Sequence, residues 1–121
     1  MASWIKETTA LMRSLDPNHL ISIGSEGMWG TEMDMDFFEQ MHADPNVDYL
    51  TMHIWPKNWS WIDTENIPGS VDIGIEKTHE YMQQHMAIAR KLKKPIVMEE
   101  FGFPRDNHKY TLDDPTTARD K

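Results

Sequence analysis

Pro95-Ile96-Val97-Met98-Glu99-Glu100-Phe101-Gly102 is a short apolar strand that ends in two carboxylates and a glycine, and it follows a long amphipathic stretch. A strand that presents an acidic residue at its carboxyl end, after a helix, is how a (β/α) barrel places a reactive group. The stretch therefore points to an α/β fold and to an enzyme. Period-two geometry sets Ile96, Met98 and Glu100 on one face and Val97, Glu99 and Phe101 on the other. Glu100, last on its face and backed by Gly102, is the candidate for a carboxylate in a cleft. Glu99 is expected toward the helical layer or its solvent rim. Taken alone, the pair fits a solvated strand end as well.

Upstream, about Asp72 to Leu92 has helical spacing, with Ile75, His79, Met82, Met86 and Ala89 on one stripe. Arg90, Lys91, Lys93 and Lys94 favour its C-terminal dipole end. Residues 56 to about 70, rich in Trp, Pro, Asn and Gly, are expected as a long loop, and such loops are usually functional. Val47 to Trp55 reads as a strand with Thr51, His53 and Trp55 on one face and Leu50, Met52 and Ile54 on the other. Bulky groups on both faces suit a strand covered on both sides. Asp36 and Glu39 have capping-box spacing for a short helix through about His42. Leu20-Ile21-Ser22-Ile23-Gly24 is a further short strand that opens at Ser25-Glu26-Gly27 into a loop. Residues 3 to 15 form an amphipathic helix with Ser3 as N-cap and Trp4, Thr8, Leu11, Met12 and Leu15 on its stripe. The order helix, strand, helix, strand, helix, strand implies a parallel sheet, whose strand ends bring Glu26, His53 with Trp55, and Glu100 to one edge. Residues after about 104 are polar and lack a clear period.

A complete barrel of this kind needs roughly 250 residues, and the chain has 121. Its composition, 39% hydrophobic and 26% charged, is that of a globular protein and too apolar for a disordered one. No stretch is long enough to cross a bilayer. The net charge of −8 is spread along the sequence, which argues against nucleic acid as a partner. Cysteine is absent, which excludes disulfides, thiolate metal sites and cysteine nucleophiles. Met1-Ala2-Ser3-Trp4 leads straight into a helical pattern, so a secretory signal, if one exists, lies upstream. Trp55, Trp59 and Trp61 crowd into seven residues.

Leu92-Lys93-Lys94-Pro95-Ile96-Val97-Met98-Glu99-Glu100-Phe101-Gly102, Val47-Asp48-Tyr49-Leu50-Thr51-Met52-His53-Ile54-Trp55-Pro56 and Gly24-Ser25-Glu26-Gly27-Met28-Trp29-Gly30 together resemble glycoside hydrolase family 5, most closely its β-mannanase branch. The resemblance runs over nearly the whole chain. It implies part of a (β/α)8 TIM barrel, about strands five to seven with their helices, as a fragment of a single barrel domain over residues 1–121. It implies a retaining endo-β-1,4-mannosidase as the parent activity, with β-mannan or a related β-1,4-polysaccharide as partner and no cofactor. The family's nucleophile, the Glu before the aromatic-Gly pair on strand seven, falls on Glu100. A carboxylate suits that task because it can attack the anomeric carbon and leave again. His53 matches the family's strand-six histidine. Trp55 stands where the family commonly has Tyr, and an indole N–H donates but cannot accept. Glu26-Gly27 matches a strand-five motif, which assigns Glu26 to substrate binding, and Trp59 and Trp61 are candidate sugar platforms.

The family's general acid/base lies in an Asn-Glu-Pro motif on strand four, and no such tripeptide occurs here. A retaining mechanism needs two carboxylates about 5 to 5.5 Å apart, so the chain is expected to be inactive by itself. The parent is expected to be secreted or periplasmic. Open strand edges and apolar faces such as Ile96 and Met98 predict self-association of the isolated chain. Two other readings stay open: an endo-β-1,4-glucanase of the same family, and a non-catalytic carbohydrate-binding or self-associating α/β module. Glu76-Lys77-Thr78-His79 has metal-ligand spacing but no second copy, so His79 is expected as a core or interface histidine and no metal is implied. Asn58-Trp59-Ser60 is formally a glycosylation sequon, a triplet that arises often by chance.

Overall fold

The structure is a computed structural model, and it describes residues 2–104. Helix α1 (Ala2–Leu15) is followed by a 3-10 turn (Met28–Thr31), α2 (Met35–His42), β1 (Leu50–Ile54), α3 (Ile67–Leu92) and β2 (Ile96–Phe101). The two strands form one sheet. Leu50 N–H donates to the Pro95 carbonyl at one end and Gly102 N–H to the Ile54 carbonyl at the other, which is the advance of a parallel pair joined by a helical crossover.

Leu20–Gly24, expected as a strand, forms no ladder. Two of its N–H groups are met by side chains instead. Asp48 Oδ2 accepts from Ile21 N–H at 2.7 Å and Ser22 Oγ from Gly24 N–H at 3.2 Å. Gly24 takes φ +62°, a left-handed conformation that interrupts the pleat. The segment still runs beside β1, tied by Asp48 N–H to Ile21 O and His53 N–H to Glu26 O.

Helix boundaries moved for local reasons. The cap of α2 is Asp34, whose side chain accepts from Phe37 N–H, and not Asp36. Helix α3 starts at Ile67, five residues before the expected Asp72, because Pro68 needs no N–H in a first turn and Asn66 Oδ1 accepts from Gly69 N–H at 3.2 Å. The tail read as aperiodic lies outside the described residues.

The described residues divide into two compact units, 2–53 with 84–99 and 54–83 with 100–104. The first has two apolar clusters. Phe38, Leu50 and Ala89 pack with Met35, Ile88, Leu92 and Ile96, while Ile5, Met41 and Val47 pack with Ile23 and Phe37. Ile96, expected to be exposed, is thus half-buried against helices. The expected stripe of α1 is largely exposed: Ile5 and Thr9 face inward, whereas Trp4 is 65% and Leu15 78% exposed. In the second unit Ile54, Ile62, Ile67, Val71 and Tyr81 are buried. Gly74 faces Ile62, whose Cγ1 would lie 3.0 Å from an added Cβ. The buried stripe of α3 is Val71, Gly74, Tyr81, His85 and Ala89, offset from the expected one, so that His79 is exposed. The offset arises because buried Gly74 and the imidazole of His85 carry no apolar signal.

Candidate active site

In the first unit, β1 delivers His53. Thr51 Oγ1 donates to the Ser25 carbonyl at 2.8 Å, and His53 N–H donates to the Glu26 carbonyl at 2.9 Å, so the Gly24–Gly27 segment is pinned to the strand that carries the imidazole. His53 Nε2 lies 3.7 Å from Glu99 Oε2, with the side chains 15% and 32% exposed. That separation allows an ion pair with a protonated imidazole but exceeds a hydrogen bond. Glu99, expected toward the helical layer or its solvent rim, is thus the carboxylate beside His53.

Glu26 is half-buried and lines a cleft of about 260 Å3 with Trp4, Ile5, Ile23, Gly30 and Met41. The loop beyond it is anchored by His85, fully buried, whose Nε2 accepts from Met28 N–H at 2.9 Å. A neutral His85 accepting there carries its proton on Nδ1. Nothing in the local sequence marks His85; its role follows from a contact 57 residues away in the chain.

In the second unit, Trp55 Nε1–H donates to Glu100 Oε2 at 3.2 Å. The main chain after β1 then turns back on itself, with Trp59 N–H on the Trp55 carbonyl and Trp61 N–H on the Pro56 carbonyl. Trp59 and Trp61 meet edge to face with ring centroids 4.8 Å apart, and both pack on buried Tyr81, at 5.1 Å and 5.7 Å. Such packing holds the loop onto α3, and both indoles remain half-buried. Gly102 lies against the Trp55 ring. Tyr81 was not marked as part of this arrangement by its sequence position, and Gly102 was marked only as backing Glu100.

Glu76 and His79 are both exposed on α3, and among the described residues no group of three or more His, Asp or Glu is placed to hold a metal ion. In the first unit a carboxylate, Glu99, stands near an imidazole, and in the second unit a carboxylate, Glu100, accepts from an indole.

A family model described as GH family 5 beta-mannosidase-like matches residues 1–121. Among curated relatives, putative mannan endo-1,4-beta-mannosidase 9 of Oryza sativa subsp. japonica is 29% identical over 93% of this chain and 28% of its own length. Mannan endo-1,4-beta-mannosidase 5 of Arabidopsis thaliana is 27% identical over 91% of this chain and 28% of its own. Among solved structures, a glycoside hydrolase family 5 mannosidase from Rhizomucor miehei superposes with TM-score 0.78 at 34% identity, over 96% of this chain and 28% of that one. An endo-beta-1,4-mannanase from Thermotoga petrophila gives 0.60 at 28% identity, over 86% and 24%. The chain thus spans about a quarter of the length of these relatives, and its parallel α/β architecture matches part of the solved structures.

Proposed function

The chain belongs to glycoside hydrolase family 5, in its beta-mannosidase-like group, and from that membership we propose that it is strands five to seven, with their helices, of one barrel domain whose activity is retaining endo-hydrolysis of β-1,4-mannan. Glu100 is the nucleophile. Its carboxylate attacks the anomeric carbon, a C–O bond to Glu100 forms as the glycosidic bond breaks, and the departing oxygen must receive a proton from a second carboxylate. The acid/base motif is absent from this sequence, so the chain by itself does not turn over substrate.

The observation that carries this reading is the Trp55 indole on Glu100. A donor on one oxygen fixes the plane of a carboxylate at the end of a strand, as an attacking group requires. Trp55 serves here in the place usually held by Tyr. His53 and Glu26 bind substrate, and Trp59 and Trp61 are sugar platforms on a loop held on Tyr81. Two carboxylates suffice for this chemistry, so no cofactor takes part. The relatives named as mannan endo-1,4-beta-mannosidases favour mannan over β-glucan, and the whole enzyme is secreted or periplasmic. The test is reducing-end release from mannan by the purified chain: none is expected, and release abolished by Glu100→Ala would overturn the claim that the chain is inactive alone.

A further inference from the structure

We propose that Gly102 is a positioning residue for Glu100: its missing side chain is the notch in which the Trp55 ring lies, and this notch places the indole N–H on the carboxylate. The catalytic consequence rests on Glu100 being the nucleophile, whereas the geometric claim does not. Glycine is not needed at 102 for its backbone. The left-handed glycines are Gly24 and Gly27, and Gly102 is not among them. What glycine supplies is space. A Cβ built on Gly102 would lie 2.7 Å from Trp55 Cε3 and 3.2 Å from Cη2, and nearer still to Cζ3. Carbon atoms at optimal separation sit about 3.5–4.0 Å apart, so ring and methyl cannot coexist as placed.

Neither main chain is free to retreat. Gly102 N–H donates to the Ile54 carbonyl at 3.1 Å, and the Trp55 carbonyl accepts from Trp59 N–H at 3.1 Å. These bonds hold residues 102 and 55 from both sides of the contact. A side chain at 102 must therefore be accommodated by swinging the indole about its own torsions. The ring carries Nε1 with it, and Nε1 is the only polar atom the indole has. The 3.2 Å bond to Glu100 is lost in that swing. Residues 55 and 102 are thus coupled in size: an indole at 55 requires glycine at 102.

The test is the indole N–H resonance of Trp55 in the 15N-tryptophan-labelled 121-residue chain, followed against pH. In the unaltered chain this resonance is expected to move with the ionisation of Glu100, and the movement should vanish in Glu100→Gln. Gly102→Ala is expected to abolish the same movement while Glu100 is still present. A Trp55 indole that follows Glu100 equally in Gly102→Ala overturns the proposal, as does a movement that persists in Glu100→Gln. Should Gly102→Ala fail to fold, Gly102→Ala combined with Trp55→Phe decides: a smaller ring should restore folding, and failure to restore it means that the ring is not what the methyl meets. None of these readouts depends on hydrolysis, so loss of the nucleophile assignment and loss of the notch are separately detectable.

Discussion

His42 should make the first unit sensitive to acid, by an amount that can be worked out. Its side chain is fully buried, its Nδ1 meets the Phe38 carbonyl at 2.8 Å, and its Nε2 has no hydrogen-bond partner among the described residues. Burial pushes the imidazole from an ordinary 6.5 down to about 4, against the Phe38 bond and with help from the Lys94 charge and the neighbouring His85. A histidine held neutral by the fold is protonated more readily in the unfolded chain. Between about pH 6.5 and pH 4 the unfolded state therefore binds the extra proton, and stability rises with pH. The contribution is complete above 6.5 and is lost as pH falls through 4. Linkage between those two values gives about 2 kcal/mol lost on going from pH 7 to pH 5. The assay is urea denaturation at both pH values for the unaltered chain and for His42→Leu, read as the change in unfolding free energy. The unaltered chain should lose about 2 kcal/mol more than the variant over that interval. Equal losses would refute the reasoning, because they would mean that His42 does not titrate differently in the folded state.

Three further outcomes follow from packing. Phe38, with no exposed surface and ring contacts of 4.2 Å to His42 and 4.8 Å to His85, should cost about 3–5 kcal/mol on Phe38→Ala, measured by the same denaturation. Gly74→Ala places a methyl against Ile62 and should cost about 1–3 kcal/mol. Pairing it with Ile62→Ala should return less than the sum of the two losses, and strict additivity would show that the two sites do not touch. Finally, Trp4, Leu11 and Leu15 at 65%, 60% and 78% exposure should make the chain self-associate. Sedimentation equilibrium should give a mass that rises with concentration and falls back in Leu11→Lys with Leu15→Lys. A monomer throughout would count against it.

The parts of the fold that were legible in sequence are those where period and punctuation agree. β2 lies between Pro95 and Gly102, β1 (Leu50–Ile54) lies within the span expected between Asn46 and Pro56, and the helix between them is in its expected place although it starts at Ile67. The Leu20–Gly24 strand failed because Asp48, 27 residues away, supplies the acceptor that a ladder would have supplied. The stripe of α3 was misjudged because its inward face includes Gly74 and His85, whose burial is decided by Ile62 and Met28 elsewhere in the chain. Alternation did not foretell that Glu99 would be the carboxylate beside His53, because that pairing depends on how β1 and β2 sit against each other. The Trp55–Glu100 bond was readable as a possibility from motif position, whereas the notch at Gly102 required coordinates.

The assignment of Glu100 is tested most directly by transplanting this chain into a complete barrel. The matched region of the Rhizomucor miehei mannosidase, 34% identical and 28% of that protein, is replaced by this sequence, and reducing-end release from mannan is measured with Glu100 and with Glu100→Ala. Hydrolysis is expected of the first, and a loss of roughly a thousandfold or more in the second, as removal of a nucleophile produces. A transplanted barrel that hydrolyses mannan equally well with Ala at 100 would contradict the assignment.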